Sequence, residues 1–211
     1  MPAKQMKDVL YRWKHRTDEY QSVITISSEA GSDGRFIAQQ LAKTVRFDLF
    51  DSLLINAIAE SAEVSAKVVK SVEKSRLTGI EQFVDMLIYD EYLEPSDYLK
   101  HLAPIVTVIA EHGHAVIVGR GANFIIPKEK KLSVRIIAPM EKRILNITNR
   151  FDVSADEAKR RISNRENRRA MFVKRSFNAN ISDPVHYDLV INSGNLNNAQ
   201  IVNFIISEVN E

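Results

Sequence analysis

The sequence predicts an α/β fold, a three-layer arrangement of one parallel sheet with helices on both faces. Two observations carry that reading. Short β-rich runs alternate with segments of helical period: SVITIS at 22–27, FDLF at 47–50, AVIVG at 115–119, LSVRIIA at 132–138 and DLVIN at 188–192. AVIVG is also continuously apolar up to Gly119, the mark of a strand buried on both faces. A chain of 211 residues can bury a substantial core without metal or disulfide support.

Taken in order, Met6, Val9, Leu10, Trp13, Thr17 and Tyr20 recur at helical spacing, so residues 4–20 read as an amphipathic helix. With residue 21 it forms an N-terminal element ahead of one domain over 22–211. Its apolar stripe has three uses open to it: packing on the same chain, an oligomer contact, or a membrane-surface role that Asp8, Asp18 and Glu19 dilute. SVITIS ends in the turn-like SSEAGSDG, and helical spacing resumes at Phe36, Ile37, Gln40 and Leu41. FDLF is a second short strand, followed by a helical pattern through Leu53, Leu54, Ala57 and Ile58. Residues 62–75 and 79–93 read as two further helices. Pro95 opens a long helix to about His112, with Leu99, Leu102, Ile105, Val106 and Ile109 on its apolar side. LSVRIIA is closed by Pro139. Helical sequence then runs from Glu141 to about Arg150 and from about Ser154 to Phe172, and a last helix over 199–209 follows DLVIN.

Composition narrows the function classes. Lys and Arg number 29 against 27 Asp and Glu, a formal net charge of +2, so bulk charge predicts no polyanionic partner. Zero cysteines exclude a disulfide scaffold, zinc–thiolate sites and a cysteine nucleophile, and fit a reducing, cytoplasmic setting. No run of about 18 apolar residues exists to span a membrane, and the first twenty residues lack the apolar stretch of a secretory signal.

Three candidate sites fall at the carboxyl edge of the predicted sheet, where open parallel sheets bind ligands: the loop after SVITIS, the turn after AVIVG and the segment after FDLF. A fourth, the basic helix after Ser154, could close over them. Three of these features carry the chemical reading. The first is the strand-to-helix loop Ser27-Ser28-Glu29-Ala30-Gly31-Ser32-Asp33-Gly34-Arg35. Such a loop can aim several backbone N–H groups at one phosphate. The strict GxxxxGK[ST] pattern is absent: Gly34-Arg35 stands where Gly-Lys or Lys-Ser/Thr would be, and Phe36 offers magnesium no oxygen. An ordinary βα turn is the other reading. The second is Val118-Gly119-Arg120-Gly121-Ala122-Asn123, in which an Arg between glycines directly follows a buried strand. Its guanidinium suits a bidentate hold on phosphate or a carbonyl edge; a helix-capping or ion-paired Arg is the alternative. The third is SADEAKRRISNRENRRAMFVKR. Ser154 and Glu157 predict a capping box at its start. From Lys159 to Arg175 there are eight Lys and Arg and one acid, Glu166. Arg161, Arg165 and Arg168 share one helical face with Arg169 at its edge, a repelling row that a bound anion would relieve. A solvated basic face and a nucleic-acid contact are the competing readings, the latter disfavoured because aromatics are not interleaved.

Together these residues resemble the cytidylate kinase-like family, a branch of the P-loop nucleoside-monophosphate kinases, over residues 22–209. The carriers are ITISSEAGSDGRFIAQQLA, FDLFDSLLINAIAE, AVIVGRGANFII, LSVRIIAPMEKRI, RENRRAMF and DPVHYDLVINSGNL. The resemblance implies a P-loop kinase-like core, a helical acceptor-side region over about 62–93, and an arginine-rich lid over about 151–178. It implies that Ser28, Gly31, Ser32, Asp33, Gly34 and Arg35 line the donor phosphates, that Asp51 and Arg120 face the acceptor, and that Arg161, Arg165, Arg168 and Arg169 reach in from the lid, these four and Arg35 being the catalytic candidates. ATP is the implied donor, with Mg2+ accompanying catalysis and its ligands unassigned. The partners implied are nucleotides or other small phosphorylated molecules. Gly121 stands where cytidylate kinases carry an Asp that helps read cytosine. The resulting expectation is a phosphotransferase acting on a nucleoside monophosphate or other small acceptor; the alternative is a nucleotide sensor without catalysis.

Overall fold

The computed structural model describes residues 6, 8–11, 23–51, 54–55 and 97–209. Most of the predicted N-terminal helix and all of the predicted region 62–93 lie outside the described residues. Four β-branched runs form strands, as their packing on a pleated surface dictates, and the short Asp-Leu-Phe run forms another: β1 (Val23–Ser28), β2 (Asp48–Phe50), β3 (Ala115–Val118), β4 (Leu132–Ile137) and β5 (Leu189–Asn192). They make one five-stranded sheet in the order β2-β3-β1-β4-β5, parallel at every pairing. β1 is central, with Ile26 opposite Val118 of β3 and Ser27 opposite Arg135 of β4. Successive strands lie on opposite sides of β1, so a crevice opens at its carboxyl end.

Helices α1 (Gly34–Val45), α2 (Asp97–His112), α3 (Ala122–Ile125), α4 (Met140–Phe151), α5 (Ala155–Phe177) and α6 (Asn198–Val209) cover the sheet. The period-2 alternation of the strands divides the core into two layers. Ile24, Ile26, Val116, Val134 and Ile136 pack against Ile37 and Leu41 of α1 and Ile201 and Ile205 of α6. Val23, Phe50, Ala115 and Ile117 face the other way, onto Leu102, Ile105 and Ile109 of α2 and Ile125 of α3. Met6 and Val9 are buried in that second layer, so this part of the N-terminal stripe packs on its own chain. No helix among the described residues is long and apolar enough to cross a membrane.

Three of the differences from expectation have a plain physical reason. α5 runs to Phe177 rather than Phe172, because nothing breaks the helix before Asn178, which takes a left-handed φ of 48°. β2 starts at Asp48, whose N–H joins the ladder at His114 O. The four-residue α3 is too short to show a period in sequence. The predicted capping box is half formed. Ser154 Oγ accepts from Glu157 N at 3.2 Å, but the Glu157 carboxylate turns outward to Arg160 and Arg161.

Candidate functional site

The β1–α1 loop closes on itself. A Cβ added at Gly34 would stand 2.3 Å from Ser28 Cβ, so the two ends of the loop touch and only glycine fits. A helical glycine ordinarily gains about 1 kcal/mol on change to Ala. Here the sign reverses: Gly34→Ala is expected to lose about 1–3 kcal/mol by overpacking, read by denaturant titration. Ser32 is fully buried, and its Oγ donates inward to Glu29 O and Ile136 O. Asp33, at φ 64°, takes up Arg150 at 2.7 Å and Asn146 at 2.9 Å from α4. Among the described residues no acceptor takes the backbone N–H of Gly31, Asp33, Gly34 or Arg35. Unspent amides on a loop entering a helix are a ready anion site.

Arg143 braces the loop from below. Its side chain is 7% exposed; Nε donates to Ala30 O at 2.8 Å and Nη1 lies 3.3 Å from the Glu29 carboxylate. Glu29 in turn accepts from Ala138 N. From above, Glu166 of α5 accepts the Ala30 N–H at 2.7 Å and lies 3.6 Å from Arg143 and 3.5 Å from Arg169. Ala30 itself packs with Ile147, Ala158 and Ile162, so the α4–α5 hairpin sits directly on the loop.

Beside the loop, at the carboxyl ends of β1 and β3, lies a cavity of about 560 Å³, within the usual range for small-molecule sites. Five guanidinium groups line it, those of Arg35, Arg120, Arg165, Arg168 and Arg169, against one carboxylate, Asp51. Arg165 and Arg168 are exposed on α5, and among the described residues neither meets a carboxylate. Arg169 donates to Ser28 O. Burial pushes the Arg169 pKa down; Glu166 opposes that, and Arg165, Arg135 and Arg120 add to it. Phe124 and Phe172 form an apolar side of the same cavity, both packed on Phe177, the first stacked at 5.1 Å and the second edge-on at 5.9 Å.

The sequence-derived candidates therefore divide. Arg35, Asp51, Arg120, Arg165, Arg168, Arg169 and Ser28 share the cavity wall. Gly31, Ser32, Asp33 and Gly34 form the loop body; Gly31, Asp33 and Gly34 offer main-chain donors rather than side chains, whereas the Ser32 N–H is taken by Glu29 O. Arg35 and Asp51, expected on the donor and acceptor sides respectively, form one ion pair at 2.7 Å, and Asp51 Oδ1 also accepts Leu54 N. Arg161 is off the wall: it pairs with Glu157 at 2.6 Å and lies over the Phe151 ring at 5.8 Å. Those hydrogen bonds, Arg161 first and then Arg160, hold the Glu157 carboxyl below its ordinary range. At Gly121, an added Cβ would meet the Phe177 ring at 2.4 Å, so a base-reading Asp has no room there. Sequence reasoning missed Arg135, Arg143 and the partner of Glu166, and gave Ser27 no role of its own within the loop. The visible signals were an Arg inside the apolar run LSVRIIA and one acid inside a basic helix.

Residues 23–195 match the sequence profile of the cytidylate kinase-like family. The chain belongs to the cytidylate kinase-like family. No curated protein sequence matches it. Among solved structures, it is similar to an uncharacterized protein from Eubacterium ventriosum, at 19% identity and a TM-score of 0.73 over 90% of this chain and 99% of that one. It is also similar to shikimate kinase from Bacteroides thetaiotaomicron, at 12% identity and a TM-score of 0.52 over 91% of this chain and all of that one. The cytidylate kinase-like chain thus has a fold shared with a small-molecule kinase.

Proposed function

We propose that this chain is a nucleotide kinase-like phosphotransferase that moves the γ-phosphoryl group of ATP to a nucleoside monophosphate or another small acceptor. The observation that carries the reading is the cavity wall of five arginines beside a loop with four unspent amides. In this reading the donor phosphates rest on the Gly31, Asp33, Gly34 and Arg35 N–H groups and at Ser28, and α5 is the lid helix. An acceptor oxygen attacks the γ-phosphorus in line, a new P–O bond forms, the bond to the β,γ-bridging oxygen breaks, and ADP leaves with that electron pair. Arg165, Arg168 and Arg169 stabilise the charge spread over the transferring group, which is the main catalytic task in such reactions. Mg2+ would neutralise phosphate charge. Among the described residues no group of three His, Cys, Asp or Glu could hold a metal ion, and Asp51, the one carboxylate on the wall, is engaged by Arg35 and Leu54 N. The acceptor lies toward Arg120, with Phe124 and Phe172 beneath its apolar part.

A thermal-shift screen of nucleotides, with and without Mg2+, tests this. A ligand at 100 times its dissociation constant should add about 2.7 kcal/mol of stability; the reading fails if no nucleotide shifts the transition. Arg120→Ala is expected to weaken acceptor binding by about 1.5–3 kcal/mol while leaving ATP binding nearly unchanged, as calorimetry would show. Equal loss for both ligands would make Arg120 a structural residue. One observation favours a second reading, a nucleotide sensor without catalysis. Arg35, in the position of a P-loop Lys, is engaged by Asp51. Nucleotide-dependent stabilisation with no product formed would select it.

A further inference from the structure

Arg135 is a charged residue within an apolar strand, and the reaction proposed above does not use it. It is 3% exposed on β4. Its Nη1 donates to Ser27 Oγ at 2.9 Å, and its guanidinium lies 5.5 Å from the Tyr187 ring centroid. Among the described residues no carboxylate pairs with it. A cation taken out of water without a counter-charge is a costly arrangement, tolerated where something else supplies the charge.

Ser27 shows where that charge enters. It lies on the cavity wall at the carboxyl end of β1. Its oxygen already accepts from Arg135, so its own O–H is what remains to be used. The Tyr187 hydroxyl donates to Ile181 O at 2.8 Å and stands a long 3.4 Å from Ser27 Oγ. A hydroxyl accepting from a cation becomes a stronger donor.

We propose that Ser27 and Arg135 form an anion anchor in the cavity floor. Ser27 Oγ donates to a phosphate oxygen of the ligand, and that ligand brings the counter-charge Arg135 lacks. Ser27 is the binding residue and Arg135 a positioning residue acting through it. The inference rests on the reading that this cavity takes a phosphorylated ligand, and extends it with two residues outside the loop and lid.

The test compares wild type, Arg135→Met, Ser27→Ala and the double variant, with inorganic tripolyphosphate and ATP as probes, by calorimetry and by thermal denaturation without ligand. Arg135→Met should bind tripolyphosphate about 10–100-fold more weakly, with a ligand-free melting temperature unchanged or raised. Ser27→Ala should also lose affinity, and the double variant should be no worse than Arg135→Met, because the pair acts as one unit. A structural tie would give the opposite pattern, a lowered ligand-free melting temperature with unchanged affinity, and would overturn the anchor. Should Arg135→Met fail to fold, unchanged affinity in Ser27→Ala overturns it and lost affinity supports it. Binding of tripolyphosphate but not ATP, with the same losses, retains the anchor and removes the nucleotide reading. Binding of neither probe by wild type overturns both.

Discussion

Arg168→Ala is expected to lower the proposed phosphoryl transfer by about 10³-fold or more, and Arg165→Ala to do the same, with almost no change in thermal stability. The two halves of that expectation have separate physical origins. Both side chains line the cavity from α5, and neither meets a carboxylate among the described residues; Arg168 Nε donates only to Asn164 O one turn back, at a long 3.3 Å, so the ligand-free fold depends little on them. They also belong to a row of like charges, and removing one member relieves repulsion of a few tenths of a kcal/mol. In the proposed reaction the same guanidinium groups would face the oxygens on which charge develops, where their loss is felt in the barrier. Single-turnover kinetics beside a melting curve separates the two halves. A melted protein, or a loss of under tenfold in rate, would remove these residues from the catalytic role.

Arg143→Met produces the largest loss of stability, about 3–5 kcal/mol. Arg143 is 7% exposed and holds Ala30 O together with the Glu29 and Glu166 carboxylates. Removing it leaves the Glu29 carboxylate without its cation and the Glu166 carboxylate with Arg169 alone, each about a quarter exposed. That loss lands on the loop and on the α5 contact at the same time. For a chain of this size the melting temperature should fall by roughly 6–20 °C, and nucleotide stabilisation should disappear with the loop geometry. Glu166→Gln, by contrast, keeps a carbonyl oxygen for the Ala30 N–H and should cost far less. If Arg143→Met melts within about 1 kcal/mol of wild type by denaturant titration, the brace assigned to Arg143 does not exist.

Most of the sheet was legible because β1, β3, β4 and β5 are β-branched runs, Gly119 and Pro139 mark where β3 and β4 stop, and AVIVG has no polar residue to confuse the period. Likewise Arg120 was legible because an Arg between two glycines has few packing roles. What was not legible depends on contacts far apart in sequence. The Glu166 contact with Ala30 spans 136 residues, and nothing local to either segment announces it. Arg143 reads as one more charge on an amphipathic helix, yet the α4–α5 hairpin drives it under the loop. Helical spacing grouped Arg161 with Arg165 and Arg168. Its position one turn nearer the α4–α5 bend instead gives it to Glu157 and Phe151. Arg35 and Asp51 were assigned to opposite sides of the site because sequence gives no distance between a loop and the strand end that follows the next helix.

The central claim is that the arginine-walled cavity transfers a phosphoryl group, and following the label from γ-phosphate-labelled ATP tests it most directly. Purified protein is incubated with labelled ATP, Mg2+ and each common nucleoside monophosphate in turn. The prediction is label on at least one monophosphate acceptor, with transfer lost in Arg168→Ala under conditions where that variant melts like wild type. No labelled acceptor from any monophosphate, in a preparation that no nucleotide stabilises, would contradict it.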